Sequence, residues 1–284
     1  MVADRTDRRR SMRRWGAGAG AAIVALLASG CSAQEALSLN APDGATEQAP
    51  IIESLWFGAW VAVAVVGVLT GGLILYAAIR FRRKDGDGAP RQVRYNVPLE
   101  VMYTIVPLVM ILGMFFFTAR DQMELTKVSE NPDNTIGVVG FRWSWAFNYV
   151  EDDVYEVGTA QVEDMPTLYL PVNESVVFEL QSPDVVHSFW IPAFLMKMDV
   201  FPDRLNKFEV TPNKVGTYAG RCAELCGVDH SRMLFTVKVV ERAEYDRRMS
   251  ELRAKGQVGS IETDRISREG ERYWESDRYP EVTS

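Results

Sequence analysis

Two uncharged runs constrain this chain more than any other feature. LWFGAWVAVAVVGVLTGGLILYAAI extends from Leu55 to Ile79, and VMYTIVPLVMILGMFFFTA from Val101 to Ala119. As α-helices they would reach about 37 Å and about 28 Å, against a hydrocarbon core of about 30 Å. The intervening RFRRKDGDGAPRQVR carries Arg80, Arg82, Arg83, Lys84, Arg91 and Arg94. Such Lys/Arg enrichment in a short loop marks the cytoplasmic side. Residues 55–119 are therefore expected to form a transmembrane hairpin in the cell membrane. Both of its ends, and everything after Ala119, would face outward.

The N-terminus agrees with export. Arg5, Arg8, Arg9, Arg10, Arg13 and Arg14 precede the short apolar stretch AGAGAAIVALLA, and ASG leads into Cys31. This is the layout of a signal peptide over residues 1–30, with small residues before a cysteine that would be acylated on its sulfur. An uncleaved third span is the competing reading, but the run is short for one. Cleavage would remove six arginines and two aspartates and move the formal net charge from −7 to −11. An exported domain that acidic favours basic partners and argues against nucleic acid. Residues 31–54, polar and Ala/Pro-rich, read as a tether.

After Arg120 the pattern changes to short apolar runs bounded by Pro, Asn, Asp and Gly: TIGVVG, FRWSWAFNYV, TLYLPV, SVVFELQS, NKFEVTP, VGTYAGR and MLFTVKVVE. About seven strands of this kind predict a Greek-key sandwich or barrel over residues 120–240. The fold class expected is membrane-anchored all-β: a two-helix transmembrane hairpin followed by a Greek-key β-sandwich or barrel domain. From Glu241 the chain is highly charged. ERAEYDRRMSELRAK predicts one amphipathic helix, and the remainder of 241–284 reads as a flexible extension.

The chemistry is concentrated in RCAELCGVDHSRM. Cys222, Glu224, Cys226, His230 and Met233 fall in one loop before a strand. The other of the chain's two histidines, His187, is expected in a loop after SVVFELQS. Three readings compete. A Cys222–Cys226 disulfide suits an oxidising compartment, but it closes a very small loop that stabilises little and leaves the histidines and Met233 unexplained. A zinc site has enough ligands, but again Met233 is idle. Soft thiolate and thioether donors with imidazoles favour copper over hard cations, and cupredoxin domains build copper sites from such a loop plus one distant histidine.

CAELCGVDHSRM with the distant HSFWIP resembles the CuA site of cytochrome c oxidase subunit II, and the resemblance runs from about Leu55 to Val240, hairpin included. It implies two copper ions bridged by Cys222 and Cys226, with one imidazole each from His187 and His230. Met233 would be the axial ligand of one copper and the Glu224 carbonyl that of the other. The Glu224 side chain would reach Mg2+ shared with subunit I, and Asp199 would lie near that ion. A Glu at this position also separates oxidases from nitrous oxide reductases, which resemble the site but carry an aromatic residue there.

The same resemblance places Trp143 at the surface above the copper as the entry point for electrons from cytochrome c. Trp145 would pack in the core or against the catalytic subunit. Glu100, a membrane-boundary carboxylate, would mark the mouth of a proton channel on the cytoplasmic side. Among nearby acidic residues, Asp184 is the one expected to steer a basic cytochrome. The chain departs from the family pattern at Arg142, Ser144, Asp203 and Arg221, which affects the docking surface and not the metal. The implied function is electron entry into a haem–copper terminal oxidase. Its partners would be subunits I and III and a cytochrome c, soluble or tethered in a cytochrome bc–oxidase supercomplex. No general base, nucleophile or open metal position is visible for O2 chemistry in this chain itself. The rival readings are a copper-binding assembly or storage protein, which would not need Trp143 or Glu224, and a structural subunit that has lost function, which the intact ligand set opposes.

Overall fold

A computed structural model describes residues 41–83, 88, 92–159 and 161–261. The expected signal peptide, Cys31, the first part of the tether and the extension beyond Ile261 lie outside the described residues.

The two apolar runs form helices longer than themselves: α1, Ala49–Arg80, and α2, Val97–Leu125. Their most apolar windows have mean hydropathies of 2.3 and 2.1, and none of either window is buried within the chain. Helices apolar on all sides with no cover from their own chain fit a lipid environment. Pro50 and Pro98 sit in the first turns, where a missing N–H costs nothing. Asn96 caps α2, accepting from Leu99 N at 3.4 Å, and Glu100 Oε1 accepts the Asn96 N–H in return at 2.9 Å. This is a reciprocal cap of the capping-box kind. Pro107, inside α2, is a tolerated feature of membrane helices.

The rest of the described chain is mostly β, in two five-stranded sheets. In chain order the strands are β1 Asn134–Phe141, β2 Ser144–Tyr149, β3 Val154–Val157, β4 Thr167–Pro171, β5 Val176–Gln181, β6 His187–Ile191, β7 Met196–Val200, β8 Asn206–Val210, β9 Gly216–Cys222 and β10 Leu234–Val240. One sheet has the order β3-β2-β1-β5-β8 and the other β4-β10-β9-β6-β7. β1 runs parallel to β5, and β4 parallel to β10. The remaining pairs are antiparallel, as expected of a Greek-key sandwich. Alternate residues face inward and bring Trp145, Phe147, Phe178, Phe189, Phe208 and Phe235 into one core. Phe189 and Phe235 stack at 5.0 Å. Gly220 on β9 makes room for them: a Cβ there would come within 2.1 Å of the Phe235 ring.

Three differences from the sequence reading matter for the site. FRWSWAFNYV is not one strand: Phe141 pairs with Ser144 across a two-residue turn, Arg142–Trp143. His187 is not in a loop but opens strand β6. Residues 44–48 are not a free tether. The Ala45 N–H donates to Ala193 O at 2.8 Å, Glu47 N to Thr211 O at 2.9 Å, and Asn213 N to Ala45 O at 3.0 Å. The β domain therefore grips the chain just before α1.

At the other end, helix α3, Arg242–Ala254, buries Tyr245, Met249 and Leu252, one helical stripe. Arg248 pairs with Glu156 of β3 at 2.6 Å. The following strap pairs Val258 with Val154, and Ile261 exchanges hydrogen bonds with the Asn148 side chain at 2.9 and 3.2 Å. The open edge of β3 is thereby covered.

Candidate metal centre

The site lies where β9 ends and β6 and β10 begin. Phe189 of β6 stands opposite Cys222, the last residue of β9. The ligand loop is closed at its base by Cys222 N–H to Met233 O at 3.0 Å and tied to β6 by Ala223 N–H to Ser188 O at 3.0 Å. A 3-10 turn, His230–Arg232, turns the chain back so that His230 and Met233 face the Cys226 sulfur.

The donor atoms form a continuous set. His187 Nδ1 lies 3.9 Å from Cys222 Sγ, and the two sulfurs are 3.8 Å apart. Cys226 Sγ is 3.5 Å from His230 Nδ1 and 3.7 Å from Met233 Sδ. Cys222 Sγ also approaches Glu224 O at 3.2 Å. Both cysteines are free, which removes the disulfide reading. Ligand atoms on metal–sulfur bonds of about 2.3 Å would stand about 3.8 Å apart around a tetrahedral ion, so these spacings suit shared coordination. His187 and Met233 are fully buried, and Cys222 and Cys226 nearly so. Thiolate, thioether and imidazole together fit a copper site.

The two thiols are close enough to perturb each other. The hydrogen bond from Cys226 draws the Cys222 thiol well below its usual range against the opposing effect of burial, with help from His187. The same pairing, burial and the adjacent negative sulfur push Cys226 up.

Asp184 is placed differently from the expectation. It is not a free docking carboxylate: its Oδ1 meets His187 Nε2 at 2.9 Å, and its Oδ2 accepts Arg142 N–H at 2.8 Å. Burial opposes its charge, but these bonds and that from Val185 N–H hold it down at about 2. Burial likewise opposes protonation of His187, and the bonds to Asp184 and Cys222 outweigh it and raise its pKa. Asp184 thus turns Nδ1 of His187 toward the sulfurs, as outer partners of metal-binding imidazoles do.

Trp143 also departs from its expected place. It is 6% exposed, because its indole lies on the ligand loop: Nε1–H donates to Cys226 O at 3.1 Å, and a Cβ at Gly227 would meet the ring at 2.7 Å. Trp145 is wholly in the core, edge-on to His187 at 6.2 Å. Glu224 has an exposed side chain. Asp199 lies on β7 opposite Ser188. Glu100 is not brought to the site; it caps the far end of α2. Sequence reasoning missed Asp184 as a partner of His187, and missed Gly140, where an added Cβ would stand 2.9 Å from the Trp145 ring and 3.4 Å from His187. A carboxylate three residues before a candidate ligand was the available signal for the first; nothing marked the second.

The family model "Cytochrome C oxidase subunit II, periplasmic domain" matches residues 134–240. A probable cytochrome c oxidase subunit 2 from Streptomyces avermitilis is 43% identical over 295 residues, covering 91% of this chain and 92% of that protein. Cytochrome c oxidase subunit 2 of Mycobacterium tuberculosis is 32% identical over 290 residues, covering 81% and 79%. Among solved structures, the periplasmic domain of subunit II of cytochrome oxidase (CoxB) of Bradyrhizobium japonicum is 29% identical with a TM-score of 0.43, covering 45% of this chain and 99% of that one. The chain belongs to the cytochrome c oxidase subunit II family.

Proposed function

We propose that this chain is the electron inlet of a haem–copper oxidase. It would accept electrons from ferrocytochrome c and pass them to the haem and copper centres of subunit I, where O2 is reduced to water with proton pumping. The observation that carries the reading is the convergence of two thiols, two imidazole Nδ1 atoms, a thioether and a backbone carbonyl. His187, Cys222, Cys226, His230, Met233 and the Glu224 carbonyl would hold a dinuclear copper centre, CuA. When bound, the copper pair supplies one-electron acceptance and release with little change in bond length.

The chain's own residues supply the rest. β-strand ends and the Asp184 bond fix the donors, which keeps reorganisation small. Core aromatics exclude water from the inner side. Trp143, bonded to the carbonyl of Cys226, connects the rim of the domain to the sulfurs. The Glu224 carboxylate, exposed beyond the loop, would take Mg2+ jointly with subunit I, since a hard oxygen donor suits that ion. Glu100 as a proton-entry group, and subunit III and a tethered cytochrome as partners, belong to the same reading. Cys31 would carry a lipid, which the mass of the mature chain decides.

Trp143→Leu in the assembled oxidase tests the inlet. Reduced cytochrome c mixed rapidly with the variant should transfer electrons at least tenfold more slowly, while the copper spectrum is retained. Unchanged transfer would remove Trp143 from the route. A storage or assembly protein would show no such transfer at all.

A further inference from the structure

The turn between β1 and β2 carries a cation that the copper-ligand reading leaves unused. Arg142 is 43% exposed at its side chain, yet both its backbone N–H and its Nε donate to one oxygen of Asp184, at 2.8 and 3.3 Å. The other oxygen holds the outer nitrogen of His187, whose side chain is fully buried. Ser182 Oγ at 3.1 Å and Val185 N–H at 2.6 Å complete the carboxylate's bonding on that side. One carboxylate therefore joins a solvent-facing guanidinium to a buried donor imidazole.

Each link has a physical consequence. A carboxylate on the outer nitrogen raises the donor strength of an imidazole and fixes its tautomer, and its negative charge favours the oxidised metal. A guanidinium on the same carboxylate offsets that charge and limits its rotation. The arginine has the greater leverage because it lies in a turn with no glycine, proline or asparagine to set its shape. The contacts of Arg142 with Asp184 and of Trp143 with Cys226 O pin that turn instead.

We propose that Arg142 is a positioning residue of the metal centre: acting through Asp184, it orients His187 and raises the reduction potential of the bound copper. The proposal deepens the copper reading above and rests on it. It also means that a docking cytochrome meets a paired arginine at this rim and not a bare aspartate.

The assembled, copper-loaded oxidase supplies the test, with the potential of the copper centre read by near-infrared spectroelectrochemistry. Arg142→Gln keeps the backbone bond and removes the charge. It should shift the reduction equilibrium about tenfold toward the oxidised form, about 59 mV for one electron. Asp184→Asn should shift it the opposite way, and Arg142→Lys should restore most of the original value. Equal potentials in all four proteins, or shifts of the same sign for Arg142→Gln and Asp184→Asn, overturn the proposal.

Should Arg142→Gln lose its copper, nitrogen NMR of the metal-free full chain in detergent decides. Its two histidines give two imidazole signatures. A His187 signal moved by the substitution, with His230 unmoved, supports positioning; an unmoved His187 rejects it. Absence of a dinuclear copper signal from the unaltered oxidase rejects the copper reading instead.

Discussion

Gly227 shows at the residue scale how closely the ligand loop and Trp143 are matched. Its φ is +130°, a region closed to most side chains, and an added Cβ would stand 2.7 Å from the indole. Gly227→Ala should therefore displace Trp143 and lose its bond to the Cys226 carbonyl. We expect a destabilisation of about 1–3 kcal/mol, a red-shifted tryptophan emission and faster copper loss to a chelator. Wild-type emission and retention would show that the indole does not rest on this glycine. At this scale the sequence was informative about donors and silent about their environment. Cys222, Cys226, His230 and Met233 are legible because soft donors rarely cluster. The bond from Asp184 to His187 is not, since an aspartate in SPDVVHS reads equally well as a turn residue.

Elements differ in legibility for physical reasons. The membrane helices have one interpretation, because some twenty uncharged apolar residues cannot be covered cheaply in water. Strands with long apolar runs, such as β5 and β10, are equally plain. β6 is not: HSFWI opens with a candidate ligand histidine and a serine, and its burial comes from β9 and from the core rings. β3 and β7 are short, and in MKMDV the alternation is half polar. The β1–β2 turn is hidden in the sequence because Arg142–Trp143 contains no turn-forming residue, and distant partners hold it. Helix α3 was anticipated from its stripe, but its service to the β core was not. Leu252→Ala would empty a fully buried site and should cost about 2–5 kcal/mol. Thermal unfolding of the purified chain measures it; a loss under about 0.5 kcal/mol, the level of an ordinary surface change, would mean that α3 merely lies on the surface.

The whole molecule couples a hairpin that lipid must cover to a β domain that stands outside. Residues 44–48 grip the loop before β9, and the α3 strap covers the β3 edge. The domain is thereby held by the segment before α1 and by the strap after α3. Leu225 and Val228 at the tip of that loop are 79% and 73% exposed, apolar surface suited to a partner subunit.

The central claim is that the converging donors hold two coppers sharing one electron. Electron paramagnetic resonance of the copper-loaded chain tests it directly. One unpaired electron spread equally over two copper nuclei of spin 3/2 gives a seven-line hyperfine pattern, which the account predicts. A four-line pattern from a single copper would contradict it.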